Sequence, residues 1–215
     1  IQIPCLNEVG TLREVFLDLP KKIPGVDTIE TQVIDDGSTD GTSELAASLG
    51  VTHIITFKNN KGLAAAFKAG LDNALSHRAD ILVNTDGDHQ YRGDCIPKLV
   101  ELILRNQADI VVGARPIKDH PEFSPLKKFF QTLGTWILGN IANISLRDAA
   151  SGFRAYNRNA MLHLNIYTSF SYCLETLIQA GYSNLKVVDV PIEINRRTRP
   201  SRLFKNMLSY LWKQT

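Results

Sequence analysis

Ile81-Leu82-Val83-Asn84-Thr85-Asp86-Gly87-Asp88-His89-Gln90 runs from an apolar segment of strand length straight into two carboxylates one residue apart. A short apolar run that stops at Asp and Gly reads as a buried strand with an open carboxyl end. In an extended segment Asp86 and Asp88 point to the same side, and Gly87 lets the backbone bend between them. Carboxylates so placed suit Mg²⁺ or Mn²⁺, hard cations usually shared between one or two protein groups and a substrate phosphate. The same arrangement occurs upstream, where Val33-Ile34 leads into Asp35-Asp36-Gly37-Ser38. One such cluster is ordinary turn chemistry. Two clusters at strand ends, where buried carboxylates need a compensating cation or donors, predict a site for a metal and a diphosphate.

Outward from these two stretches, strand-like and helix-like patterns alternate. Strands are read at 1–4, 31–34, 53–57, 81–84 and 110–113, and helices at 9–19, 42–49, 62–76 and 95–105. Thr42 or a neighbour caps the second helix, and Gly50 stands where it would stop. The alternation predicts an α/β fold, a Rossmann-like and mostly parallel sheet flanked by helices in a single domain. The carboxyl ends of such strands share one edge, where ligands bind. Asn7-Glu8, Asp35-Asp36, Asn59-Asn60-Lys61-Gly62, Asp86-Gly87-Asp88 and Ala114-Arg115 are therefore expected to converge. After the loop from Pro116 to Pro125 the pattern loosens. Helices are read at 126–143, 158–164 and 172–180, a late strand at 187–194 interrupted by Pro191, and a terminal helix at 202–213, while Asp148–Arg154 is assigned neither form. The domain is placed at 1–195, with 196–215 set apart as a basic amphipathic segment.

At 215 residues, with 44% hydrophobic and 21% charged residues, the chain is long enough for one sizeable core and has an ordinary globular composition. Cys5, Cys95 and Cys173 are odd in number and lack metal-ligand spacing, which argues against a disulfide framework or a zinc site and fits reduced thiols in the cytoplasm. No run reaches the roughly 20 apolar residues of a spanning helix, and no signal peptide is visible, so the chain as given is expected to be soluble. Ile1-Gln2-Ile3-Pro4 reads as the second half of a strand, and the expectation is that residues are missing at both ends. The net charge is +2, yet residues 194–215 hold six basic residues and no acidic one, leaving the rest mildly acidic. Such a tail suits a phosphate group, an anionic membrane or nucleic acid. Leu203, Phe204, Met207, Leu208, Leu211 and Trp212 fall on a helical pattern there, which fits a helix lying on a membrane or one packed on the sheet.

Asn60-Lys61-Gly62 opens a helix rich in small residues, where backbone N–H groups can contact phosphate or ribose, or simply allow close packing on the sheet. GxGxxG and GxxxxGK[ST] are both absent, which removes the main support for a dehydrogenase or an NTPase. Arg115, Lys127, Lys128, Arg154 and the basic residues of 196–205 are candidates for an anion pocket facing the metal, since the planar fork of Arg suits phosphate oxygens. A lone Arg at a strand end is more often a surface ion-pair partner. His53, His77, His89, His120 and His163 show no i,i+4 zinc spacing, and only His89 adjoins the acidic turn. Asp148 and Glu175 are candidate general bases.

The ordered set Ile3-Pro4-Cys5-Leu6-Asn7-Glu8, Val33-Ile34-Asp35-Asp36-Gly37-Ser38-Thr39-Asp40-Gly41-Thr42, Asn60-Lys61-Gly62, Asp86-Gly87-Asp88-His89-Gln90 and Ser151-Gly152-Phe153-Arg154 resembles family 2 glycosyltransferases of the GT-A fold. Within that family the chain looks most like the dolichol-phosphate mannose synthase branch. The resemblance implies a nucleotide-sugar donor, Mg²⁺ or Mn²⁺, a polyprenyl (dolichyl or undecaprenyl) phosphate acceptor, peripheral contact with the cytoplasmic face of a membrane, and no nucleic acid. It places Pro4, Asn7, Glu8, Ile34, Asp36, Gly62 and Asp86 at the nucleotide sugar. Asp86, Asp88 and Gln90 fall at the metal, and Arg115, Lys128, Thr132, Arg196 and Arg202 at the acceptor phosphate, with Asp86, Asp88 and Arg115 as the catalytic groups. Lys128 stands where the branch usually has Arg, and Arg199-Pro200-Ser201-Arg202 replaces its commoner Gly-Glu-Ser-Lys. The Gln-x-x-Arg-Trp motif of processive polysaccharide synthases is missing, which argues against a polymerising enzyme.

A phosphate monoester is already an anion, so an inverting single displacement by it requires positioning rather than a strong base. A hydroxyl acceptor would instead call on a carboxylate such as Asp148 or Glu175. A saccharide or other hydroxyl acceptor, and a non-catalytic nucleotide-sugar-binding protein, remain as alternatives. The sequence leaves GDP-mannose, UDP-glucose and UDP-N-acetylglucosamine open as donors.

Overall fold

A computed structural model describes residues 1–117, 125–168 and 172–195, apart from the side chain of Lys127. The strands are β1 (Gln2–Cys5), β2 (Gln32–Asp35), β3 (His53–Thr56), β4 (Ile81–Asn84), β5 (Ile110–Ala114), β6 (Arg154–Asn157) and β7 (Val187–Pro191). They form one sheet in the order β3-β2-β1-β4-β6-β5-β7. All are parallel except β6, which runs antiparallel to both β4 and β5. The mostly parallel α/β sheet is the expected one, and β6 is the strand missing from the sequence reading. Its four residues begin with an arginine, so no apolar run announces it, yet Arg154, Ala155 and Tyr156 are wholly buried.

Helices α1 (Leu12–Asp18), α2 (Thr42–Ser48), α3 (Leu63–Ser76), α4 (Ile96–Leu104), α5 (Pro125–Ala142), α6 (Arg158–His163) and α7 (Tyr172–Tyr182) cover both faces. Leu12, Val15, Ala46, Ile96 and Leu99 from α1, α2 and α4 pack with Ile3, Val33, Val83 and Val111 on one face. Phe67, Leu71, Leu138, Met161 and Leu177 from α3, α5, α6 and α7 pack with Leu82, Ile110 and Val112 on the other. Burial on both faces is why these strands read as apolar runs rather than alternating ones.

The first helix starts later than its pattern implies, because Thr11 and Leu12 donate their backbone N–H groups to Glu8 O and hold residues 8–11 in a turn. Gly41 at φ +89° precedes α2, and Gly50 at φ +76° follows it, a left-handed backbone that favours glycine. The expected helix at 202–213 lies outside the described residues. Among the described residues no helix is long and apolar enough to cross a membrane. The strand order reverses between β1 and β4, which share only the register pair Gln2↔Asn84. β1 therefore runs on past the end of β4, and this switch point is where the ligand crevice of an open α/β sheet is expected.

Candidate functional site

The loops after β1 and β2 are stapled together. Asn7 N donates to Ser38 Oγ (2.8 Å), Thr39 N to Asn7 Oδ1 (2.8 Å), Glu8 N to Thr42 Oγ1 (2.9 Å) and Val9 N to Asp40 Oδ2 (3.1 Å). Asn7 holds a left-handed backbone at φ +56°, which asparagine tolerates better than most residues. Asp35 is buried and receives Ser38 N (2.8 Å) and Ser43 Oγ, so its carboxylate belongs to the loop. Asp36 accepts from Lys61 N (2.6 Å), Gly62 N (2.9 Å) and Asn60 Nδ2 (3.0 Å), and thereby sets the 60–62 loop against the end of β2. Burial raises the pKa of Asp36, against the opposing pull of the Lys61 and Gly62 N–H groups. The side chain of Ile34 is fully buried, with its Cδ1 close under Gly70 of α3, so only its backbone faces the edge.

The acidic segment after β4 leaves the extended form and turns at Gly87-Asp88, the bend that the glycine allows, with His89 at φ +58°. Asp88 Oδ1 accepts from Gln90 N (3.1 Å), which closes the turn locally. Gly87 is wedged against β1, where a Cβ would lie 3.0 Å from both Cys5 Sγ and Glu8 Cγ. The Thr11 hydroxyl lies between Gly87 O (2.7 Å) and Glu8 Oε2 (3.0 Å), joining the turn to the first loop. The Cys5 thiol registers the convergence. Its pKa is pushed well up, first by burial and then by the negative charges of Glu8, Asp35, Asp86 and Asp40. His89 faces the end of α1 instead, with Nε2 3.6 Å from Asp18 Oδ2. Asn195 donates to Gln90 O (N, 2.9 Å) and to His89 O (Nδ2, 3.0 Å), which ties the last described residues to the acidic turn.

Arg115 leaves the end of β5 and makes a two-pronged ion pair with Asp148, Nε to Oδ2 at 2.6 Å and Nη2 to Oδ1 at 3.0 Å. Asp148 has no exposure, and the Arg115 side chain retains 14%. Burial alone would lower the pKa of Arg115, but Tyr91, Asp148 and Asp86 hold it above its ordinary value, so the group stays cationic. Tyr91, a neighbour that sequence reasoning missed, accepts from Gly152 N (3.3 Å). Only its place directly after Gln90 could have drawn notice.

Three expectations are corrected. Asp148 is not a poised general base, because both of its oxygens are committed to Arg115 and its side chain has no exposure to solvent. Glu175 likewise accepts from Tyr167 N (2.9 Å) and Thr168 Oγ1 (2.8 Å) and anchors that loop. Arg154 does not line an anion pocket. It is wholly buried and donates to Ser151 O (2.8 Å), Cys173 O (2.9 Å), Thr176 Oγ1 (2.9 Å) and Ala149 O (2.7 Å), which cements the 149–154 segment to α7.

Lys128 and Thr132 lie on α5, where Thr132 Oγ1 donates back to Lys128 O (2.9 Å). Thr135 on the same helix accepts from Ala149 N (3.2 Å), so α5 is fastened beside Asp148. Leu126, Phe129, Phe130, Trp136, Ile137 and Ile141 of α5 are exposed, Trp136 by 66%. Arg196, Arg202 and the side chain of Lys127 lie outside the described residues.

Among the described residues no group of three or more His, Cys, Asp and Glu side chains could cage a metal ion. The donors present, two carboxylates on one turn beside further acidic loops, fit a hard divalent cation whose coordination is completed by phosphate oxygens.

A family model described as glycosyl transferase family 2 matches residues 1–164. The dolichol-phosphate mannosyltransferase of Pyrococcus furiosus is 33% identical over 205 residues, which cover 92% of this chain and 56% of that protein. The UDP-N-acetylglucosamine–dolichyl-phosphate N-acetylglucosaminyltransferase of Methanococcus voltae is 31% identical over 216 residues, covering 89% of this chain and 83% of that one. In architecture the chain is similar to glucosyl-3-phosphoglycerate synthase from Mycobacterium tuberculosis, solved with Mn²⁺, UDP and glucosyl-3-phosphoglycerate. That match has a TM-score of 0.72 at 21% identity and covers 98% of this chain and 73% of that one.

Proposed function

Since the chain belongs to glycosyl transferase family 2, we propose that it is an inverting hexosyltransferase that moves a sugar from a nucleotide-sugar donor to a polyprenyl phosphate. The observation that carries this reading is the Arg115–Asp148 pair. The carboxylate best placed to act as a base is spent on holding a cation at the crevice, an arrangement suited to an acceptor that arrives as an anion. The names of the two sequence relatives support a lipid phosphate acceptor and differ in the sugar.

In this reading the Pro4–Glu8 segment, the Asp36-braced 60–62 loop and Gly62 enclose the nucleoside of the donor. Asp86 and Asp88, with Gln90, would hold Mg²⁺ or Mn²⁺, which when bound stabilises the negative charge of a departing nucleoside diphosphate. Arg115, kept cationic and fixed in direction, meets the acceptor phosphate and aims one oxygen at the anomeric carbon. Lys128 and Thr132 on α5 take part in that pocket, and the family resemblance assigns the same role to Arg196 and Arg202, which lie outside the described residues. The exposed apolar side chains of α5 rest on the lipid surface from which a polyprenyl acceptor would be drawn.

Thermal shift with GDP-mannose, UDP-glucose and UDP-N-acetylglucosamine, each with Mn²⁺, identifies the donor, since a ligand of the folded state raises its apparent stability. Radiolabel transferred from that donor should then partition into organic solvent with polyprenyl phosphate, and Asp88→Ala should abolish the metal-dependent transfer. Label confined to a water-soluble saccharide would overturn the lipid acceptor, and donor binding without turnover would overturn catalysis. Trp136→Ser and Phe129→Ser should release the protein from sedimenting anionic liposomes, and undiminished sedimentation would refute the role of α5.

A further inference from the structure

Three amide side chains occupy one register row of the sheet, where Gln32 pairs with Gln2 across β2–β1 and Gln2 with Asn84 across β1–β4. Each is at most 4% exposed. Side chains in register share a face, here the one covered by α3 and α7, and these join into a continuous line. Asn73 Nδ2 of α3 donates to Gln32 Oε1 (2.7 Å), and Gln32 Nε2 donates to Gly70 O (2.8 Å) and Gln2 Oε1 (3.2 Å). Gln2 Nε2 then donates to Asn84 Oδ1 (2.7 Å), and Asn84 Nδ2 to Gly152 O (2.9 Å) and Tyr172 Oη (2.8 Å). Gly70 O and Gly152 O are carbonyl oxygens, which only accept, so they fix the orientation of every amide between them.

The line ends at the crevice. Gly152 is caught between Tyr172 and Asp86: a Cβ there would lie 3.0 Å from Tyr172 Oη, 3.4 Å from Asp86 Oδ1 and 3.8 Å from Asp86 Oδ2. Tyr172 is itself immobilised by stacking on Phe67, with ring centroids 3.8 Å apart and planes 4° from parallel. Asn84 ends β4 two residues before Asp86, so its two N–H bonds tie that strand end to the wall the Asp86 carboxylate lies against.

We propose that Asn84 is a positioning residue for the metal–diphosphate site, acting through Gly152 and Tyr172 to fix the direction in which Asp86 presents its carboxylate. The inference rests on the function proposed above and adds a residue to it that touches neither donor nor cation. Isothermal titration with Mn²⁺ plus UDP and with Mn²⁺ plus GDP separates the two claims. A wild-type chain that binds neither would refute the functional reading, whereas wild-type binding that Asn84→Leu leaves unchanged would refute the positioning role alone. The expected result is an Mn²⁺ affinity at least about tenfold weaker in Asn84→Leu, in the range found when groups that orient metal ligands are removed. Asn73→Leu breaks the same line at its far end and should lower the melting temperature without changing Mn²⁺ affinity; equal weakening in both variants would show a general loss of stability instead. Should Asn84→Leu not fold, Asn84→Asp keeps the volume and the bond from Gln2 while losing donation to Gly152 O. It should also weaken Mn²⁺ binding, and wild-type affinity in that variant would overturn the proposal.

Discussion

Asp148→Asn tests most directly whether the Arg115–Asp148 pair anchors a cation or hides a base. The substitution conserves shape, so it opens no cavity, but it removes the charge and turns an amide N–H toward a guanidinium that only donates. In the native chain Arg115 Nε, Nη2 and backbone N approach Asp148 at 2.6, 3.0 and 3.3 Å. Opposite charges about 4 Å apart interact by about 4 kcal/mol at an effective dielectric of about 20. Removing one member of a buried pair costs about 3–5 kcal/mol, because the other is left uncompensated. Arg115 keeps 14% exposure and the nearby charge of Asp86, so the lower end, about 3 kcal/mol, is expected here. With a urea slope of about 2–3 kcal/mol per molar, the unfolding midpoint should fall by about 1–1.5 M, read by circular dichroism. Turnover should fall with it, and small carboxylates such as formate should not restore it. A variant with an unchanged midpoint whose turnover returns on adding formate would mean that Asp148 moves a proton, and the anchoring argument would be wrong.

Gly87→Ala brings a Cβ to 3.0 Å from Cys5 Sγ and Glu8 Cγ, and should cost about 1–3 kcal/mol while weakening Mn²⁺ binding, checked by urea unfolding and calorimetry. Arg154→Leu strands four acceptors at about 1 kcal/mol or more each. Its melting temperature should fall by about 10 °C, by scanning calorimetry; an unchanged melting temperature with a raised KM for the acceptor would restore Arg154 to the anion pocket. The pKa of Asp36 is raised by burial in the folded state, so its contribution to stability is full below the ordinary carboxylate value and is lost as pH rises through the folded one. Wild type should therefore lose stability relative to Asp36→Asn as pH increases across that window in ligand-free unfolding curves. A difference independent of pH would contradict the raised value.

The first five strands and the edge they share were legible because each is a mostly apolar local run with Asp, Asn or Gly in or just after its end, and such runs need no partner to be recognised. The acidic turn was legible for the same reason, although its path was not: the bend at Gly87 is imposed by Cys5, Glu8 and Thr11, which approach it from the end of β1. The role of Asp148 was hidden because its partner, Arg115, lies on another element, and a carboxylate seen alone cannot be told from a base.

β6 was missed on similar grounds, since a charge at the head of a four-residue segment argues for the surface unless the acceptors that neutralise it are known. Those acceptors come from Ala149, Ser151, Cys173 and Thr176, on either side of the strand in sequence. Gln2, Gln32 and Asn84 look like unrelated lapses in the apolar pattern of three strands. The register joins all of them, Gln32↔Gln2, Gln2↔Asn84 and Asn84↔Arg154, into one polar row across the sheet. A buried amide or guanidinium is costly alone and tolerable when every donor is matched, so each of the four depends on strand order β2-β1-β4-β6. The row thus specifies the pairing of strands that an apolar pattern leaves interchangeable, and it does so directly beneath the crevice where Asp86 must be held.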